Sequence, residues 1–408
     1  MKKQSYTSNI SGRQRGFASI TVLILTTVAI VVLLALVSAT STQMKLSAKG
    51  QDRVTGAALA EAGIDDAIDK IRLNPDTFIG TKHTAFPDIT LYEDPGANVK
   101  PQGSFQTDVK YVDDTTRRVV STGTNANGSK VTIAALVTIE MTTIGNGALI
   151  ANENVSLSGS VPIATIPSDS HVANVIANQN ITMGGGSYVD GELSAGGTIS
   201  GTGFYPNVTG NEPYPFPSAA LTDKWRADAI AQASGGTIYN SVRTSRIITA
   251  PAYIRGDISL QNTDTVVLTG TGVVYVEGNV KLTASSHLTN GVTLVVNGTY
   301  DQQGQSIYSI TTGLSYTPTI LVYGMGASPN QNTVSLAGGS SSTQQGIIYA
   351  VNGDISVAGG STFTGALMAG GAGGDIKASG GYTQSFPTGM AATYSYPTGA
   401  HVQRMAEY

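Results

Sequence analysis

Asp190 and Glu192, two residues apart in "YVDGELS" (Tyr188 to Ser194), are the side chains of this sequence best spaced for catalysis. On a β-strand, residues two apart share a face. Two carboxyl groups on one face are what acid–base cleavage of a glycosidic bond needs. Asp257 and Glu277 stand alone, each in a repeat of its own. Acids that solvate turns account for all four. Other chemistries find less. There is no cysteine, which removes thiolate nucleophiles, thiolate metal sites and disulfides together. The four histidines, His83, His171, His287 and His401, lie far apart in sequence, without the spacing of a zinc site. "GGAGGDIKA" (Gly370 to Ala378) approaches the calcium-binding nonapeptide, but Lys377 stands where a large apolar residue belongs. A single copy also lacks a neighbouring turn to complete the ligand set. No nucleophile elbow and no Gly-Lys-Ser/Thr phosphate loop occurs. The expectation is no catalytic residue, no metal and no cofactor.

The elements that carry these residues differ along the chain. Among 408 residues, 12% are charged and the net charge is -4. Without clustered Lys and Arg there is no footprint for nucleic acid. From Phe17 to Met44 no charged residue occurs, a run long enough to cross a bilayer as a helix. Lys2, Lys3, Arg13 and Arg15 precede it, which places the N-terminus in the cytoplasm and the rest outside. Three readings of this run compete: a signal peptide cut after Ala39 to leave Thr40 first, a plain anchor, or a retained helix. Beyond the apolar run the helical pattern continues, with Val54, Ala57, Glu61, Ile64, Ile68 and Ile71 at steps of three and four. Asn74-Pro75 stops it.

A basic leader ending at Gly16, then Phe17 and a long apolar helix, resembles the leader of type IV prepilins. "AALAEAGIDDAI" (Ala57 to Ile68) and "VVSTG" followed by "VTIAALVTI" resemble the PilX-like minor pilins. The resemblance implies cleavage between Gly16 and Phe17 by a prepilin peptidase, with N-methylation of Phe17. It also implies partners in other pilin subunits and the pilus assembly machinery. Shaft-forming pilins carry Glu at the fifth mature position, and Thr21 stands there in this chain. A minor, priming or tip subunit fits that departure. Glu61 is the acid that could face a partner.

After the helix, "SFQTDVKYVDD", "RRVVSTGTNANG" and "SKVTIAALVTIE" alternate apolar and polar residues and read as three strands of a small sheet. From residue 147 the chain repeats loosely: "IANENVSLSG", "IANQNITMGG", "VYVEGNVKLTA" and "IYAVNGDISVAG" each pair a short strand, an Asn or Gly turn and a second strand. Such units bury their faces only by stacking. The expected fold is therefore mainly β: a long N-terminal helix with a pilin-like antiparallel sheet, then a right-handed parallel β-helix, or β-solenoid. A two-sheet sandwich is the alternative. The expected boundaries are a leader at 1–16, the helix at 17–73, the sheet at 74–145, the solenoid at 146–390 and a tail at 391–408. A helix at about 221–234 interrupts the solenoid, capped by Thr222 and closed by Gly235-Gly236, with Leu221, Trp225, Ala229 and Ala233 on one face. Trp225 is a candidate for stacking on a surface glycan.

Taken together, these readings give an exported, structural or adhesive pilin-like protein, held in the cytoplasmic membrane by one span and then displayed on the cell surface or a pilus. The alternatives are a secreted β-helix carbohydrate-active enzyme using Asp190 and Glu192, and a membrane-anchored surface protein that never polymerises.

Overall fold

A computed structural model describes residues 13–73, 84–85, 89–92, 101–113, 116–166, 172–203, 205, 207–208, 213–311, 314, 316–326, 332–339, 343–387 and 394–407. The chain is mainly β, with a long N-terminal helix and many strands in parallel sheets. It divides into two compact units: Met1–Asp69, Gly80–Val137 and Val402–Tyr408 form the first, and Lys70–Ile79 with Thr138–His401 the second.

Helix α1 runs unbroken over Arg13–Leu73, 61 residues. Its large apolar side chains from Val22 to Leu46 are 52–69% exposed. Within Val22–Ile71 the most apolar stretch has a mean hydropathy of 2.9, enough by length and composition to cross a membrane. The hydroxyls of Thr26, Thr27, Thr40 and Thr42 donate to carbonyls one turn back, at 2.7–2.9 Å. These polar groups need no water, which suits a helix placed in lipid.

The second half of α1 buries Gly56, Leu59, Ala60, Gly63, Ile64 and Ala67. Of the expected stripe, Ile64 and Ile71 are buried and Ala57 and Ile68 half-buried, and the correction falls on Val54 and Glu61, which point outward. The reason is steric. Glycine and alanine let the helix backbone approach its sheet closely, and so they decide which face turns inward. That sheet is antiparallel where Pro101–Tyr111 pairs with Thr116–Asn125 and with the short strands Thr84–Ala85 and Ile89–Tyr92. Lys130–Thr143 follows Thr116–Asn125, and Ser395–Glu407 completes the order. The expected tail at 391–408 is thus corrected. Most of it is a sheet strand, which covers an edge that Lys130–Thr143 would otherwise leave open.

In the second unit every described register within the two large sheets is parallel. The stacking order does not follow the sequence. In one sheet the neighbours run Ile258–Leu260, Val280–Leu282, Tyr300–Gly304, Val334–Gly338, Ile355–Gly359 and Ile376–Ser379. They continue through Val155–Ser158, Ile181–Met183 and Ile199–Gly201. The second sheet is permuted in the same way, with Thr362–Ala369 beside Leu149–Ala151. The chain therefore enters mid-stack, builds to one edge, returns to the opposite edge and fills in until Ile376 meets Val155.

The return from Asn207–Val208 to Thr237–Tyr239 spans a row of eleven strands in the second sheet from end to end, roughly 48 Å for ten spacings of about 4.8 Å. Helix α2, Ala219–Ser234, lies on that path and buries Leu221, Thr222, Trp225, Ala229 and Ala233. Its N-cap is Ser218, whose Oγ accepts from the Leu221 amide at 3.2 Å, rather than the expected Thr222. Thr222 lies inside the first turn, and its hydroxyl donates to Ala219 O at 3.0 Å.

Candidate functional site

Gly16 and Phe17 both lie within α1, but the side chains at 13–21, Thr21 among them, fall outside the described residues. Glu61 is on the exposed side of the helix, opposite the face that meets the sheet. The packing it turns away from is unusually close. A Cβ added at Gly63 would come within 2.7 Å of Thr107 Oγ1 and 2.8 Å of the Phe105 ring, and the Thr107 hydroxyl donates to Gly63 O at 3.2 Å. One turn from the start of this seat, Asp52 Oδ1 accepts from Asn125 Nδ2 and Asn127 Nδ2, both at 2.9 Å. The helix is thereby locked to the turn at its sheet.

Asp190 is buried, with Oδ2 accepting from the Thr165 amide at 3.2 Å and Oδ1 from the Tyr188 hydroxyl at 3.0 Å. Burial, and next this bond to a carboxylate, raise the Tyr188 pKa. Glu192 begins a separate strand, Glu192–Ala195, and is half-exposed while Asp190 is buried. The expected shared face is therefore corrected, because a break after Tyr188–Val189 separates the two acids. Glu277 accepts from the Tyr253 hydroxyl at 3.3 Å.

Asp257 belongs to a pattern that the sequence reading missed. The residue just before each strand of the first large sheet is Asp257, Asn279, Thr299, Thr333, Asp354, Asp375, Asn154, Asn180 and Thr198 in stacking order. Many of these side chains accept from the next backbone amide along the stack. Asp257 Oδ1 takes Asn279 N at 2.7 Å, and Asn279 Oδ1 takes Thr299 N at 2.9 Å. Asp375 Oδ1 takes Asn154 N at 3.0 Å, and Asn180 Oδ1 takes Thr198 N at 3.0 Å. Its signal is in the sequence as "GDISL", "GNVKL", "GDISV" and "GDIKA". Asx and Thr side chains are suited to holding such backbone amides.

Lys377 explains the near-calcium motif. Its Nζ lies 3.2 Å from Asp354 and 3.5 Å from Asp375, so an ammonium fills the place between two stacked carboxylates. The hydrogen bond to Asp354 raises the Lys377 pKa. Among the described residues no group of three or more His, Asp and Glu side chains is arranged to hold a metal. His287 is in the strand His287–Asn290 and His401 in Ser395–Glu407, whereas His83 and His171 lie outside the described residues.

Trp225 is 8% exposed, and its ring packs on Tyr394 with centroids 4.7 Å apart. This corrects the expectation of a ring presented to a sugar. The return segment is latched by further tyrosines. Tyr396 donates to Pro215 O at 2.9 Å, the Tyr323 hydroxyl bonds to Thr222 O, and Tyr214 bonds to Asn146.

No family model and no curated protein matches the chain. Among solved structures it is similar to the competence-associated pilin ComZ from Thermus thermophilus. The identity is 13%, over 88% of this chain and 97% of that one, with a TM-score of 0.23. That score is too low for a shared overall arrangement, and nothing about this chain follows from it.

Proposed function

We propose that this chain is a type IV pilus-related minor pilin or pilus assembly subunit, structural or adhesive rather than catalytic. In this reading a prepilin peptidase cuts between Gly16 and Phe17, and α1 is kept. The helix first anchors the precursor in the cytoplasmic membrane with its N-terminus inside. It then packs against the helices of other pilin subunits, as the assembly machinery requires. The second unit is the displayed head, a parallel β-solenoid. We assign it a right-handed coil, as parallel crossovers nearly always have.

One observation carries the reading. A single 61-residue helix carries large apolar side chains that are exposed from Val22 to Leu46. Over its second half it is seated through Gly56 and Gly63 on an antiparallel sheet. An anchor alone needs only about 20 such residues. The additional turns give the sheet a rigid stalk, and the exposed apolar half can be buried first by lipid and then by neighbouring helices. Secretion of a hydrolase is disfavoured by Asp190, whose two oxygens already hold Thr165 and Tyr188.

The test is the N-terminal residue of the mature protein, read by mass spectrometry on membrane and sheared-surface fractions. A start at Phe17, N-methylated, is the expected result. A start at Thr40 would sink the pilin reading, and an intact Met1 would leave a simple anchor.

A further inference from the structure

We propose that the pocket beside α2 binds a neutral pyranose ring of a glycan. The pocket measures about 490 Å³ and is lined by Gln232 of α2, Thr271, Val273, Thr293, Tyr316 and Tyr394, together with Gly272. That volume lies within the ordinary range of ligand sites. Among the described residues no charged side chain lines it, so a neutral guest fits and an ionic one would lose its hydration without gaining a partner. The lining has two parts. Tyr316, Tyr394 and Val273 offer apolar surface for the C–H face of a sugar ring. Gln232, Thr271 and Thr293 offer an amide and two hydroxyls for the ring's own hydroxyls. A purely aliphatic guest would bury these polar groups for nothing.

The walls are fixed in advance, which lowers the entropy lost on binding. The Tyr316 hydroxyl donates to Gly291 O at 2.9 Å. Tyr394 rests on Trp225. Trp225 is thus a positioning residue behind the sugar platform rather than the platform itself. Gly272, at φ +114°, keeps the rim low, since a Cβ there would stand 3.3 Å from Gln232 Nε2. The lining residues all belong to the second unit, and the proposal does not rest on the pilus reading.

The experiment uses the full chain in lipid nanodiscs. Methyl glycosides of glucose, galactose, mannose and N-acetylglucosamine are tested by saturation-transfer NMR and calorimetry. At least one is expected to bind with a Kd of about 1 mM, typical of a single small ring. Thr271→Trp, at an exposed rim position, is expected to weaken it at least about tenfold, and Gln232→Ala about fivefold. Both variants should melt like the parent. Failure of all four glycosides would overturn the proposal. So would binding that Thr271→Trp leaves unchanged. If benzyl alcohol enters the pocket and no glycoside competes with it, the site is a socket for an apolar side chain and the proposal also falls.

Discussion

Gly123 and Gly56 meet back to back: a Cβ built on Gly123 would overlap the Gly56 carbonyl oxygen and stand 2.6 Å from the Ala60 amide nitrogen. Backbone atoms cannot swing aside as a long side chain can. Gly123→Ala is therefore expected to push α1 off its sheet and destabilise the first unit by about 1–3 kcal/mol, the usual cost of overpacking. Gly50 is the internal control, because it is in the same helix with nothing within 4 Å of an added Cβ. Gly50→Ala should stabilise by about 0.5–1 kcal/mol through helix propensity alone. Thermal melts of both variants check the pair. Equal behaviour would mean that the helix is not seated as described.

This contact also shows where sequence reading stops. A stripe drawn through large apolar residues included Val54 and passed through Glu61, and both point to solvent. The face that packs is drawn by Gly56, Ala60 and Gly63, whose small size a stripe of large apolar residues does not pick out. The strands of the second unit were readable from their alternation. Their stacking order was not, because "GDISL" and "GDIKA" have the same pattern wherever they sit. Nothing local says that Ile376 pairs with Val155 across 221 residues (376 minus 155). The face that buries Trp225 with Leu221, Ala229 and Ala233 is legible from their spacing, but its partner ring, Tyr394, is remote in sequence. For the pocket, Gln232 and Tyr394 come from segments that share no motif, so only the fold brings them together.

Asn154 carries the polar ladder across the seam between Ile376–Ser379 and Val155–Ser158. Its amide side chain donates to Asp375 Oδ1 at 3.0 Å, and its own Oδ1 accepts from Asn180 Nδ2 at 3.0 Å. Asn154→Ala is expected to cost about 1–3 kcal/mol, because it leaves half-buried polar partners unsatisfied. Asn154→Asp is expected to be pH-dependent, since it sets a carboxylate against Asp375. Two such groups resist ionising together, so the variant's deficit should be largest at neutral pH and shrink as the pH falls toward about 4. Melting curves across that range decide it. A deficit that grows on acidification would contradict the ladder.

Gln384 closes the permuted stack. It is fully buried, and its Nε2 donates to Ala148 O at 2.7 Å and to Gly365 O at 3.0 Å. One side chain thus ties the last repeats to the segment where the chain enters. Gln384→Leu keeps similar bulk but leaves both carbonyls without this donor. Ala148 O keeps the Leu367 amide at 2.9 Å, while Gly365 O and the buried Tyr382 hydroxyl lose this partner, so the expected loss is about 1–3 kcal/mol. Hydrogen exchange should rise first at the Leu367–Leu149 pairing beside it. Uniform exchange across the sheet would show that the seam is no weaker than the rest.

Buried tyrosines set the alkaline limit of the second unit. Burial pushes Tyr275 up to about 12, holds Tyr308 and Tyr349 higher still, and raises Tyr300 and Tyr382 well above the ordinary value of 10.0. Tyr323, Tyr394 and Tyr396, along the return segment, are raised by the same cause. Below pH 10 both folded and unfolded chains keep these protons, so stability does not respond to them. Above it, the unfolded chain releases protons that the folded one retains, and each such tyrosine lowers stability by about 1.4 kcal/mol per pH unit until its own folded pKa is reached. With several acting together, the melting temperature should hold to about pH 10 and then drop steeply. The tyrosinate absorbance of these buried rings should rise in one cooperative step with unfolding, not as a gradual titration of the native protein. A smooth native-state titration centred near pH 10 would mean that these rings are open to water, and would remove the latch from the return segment.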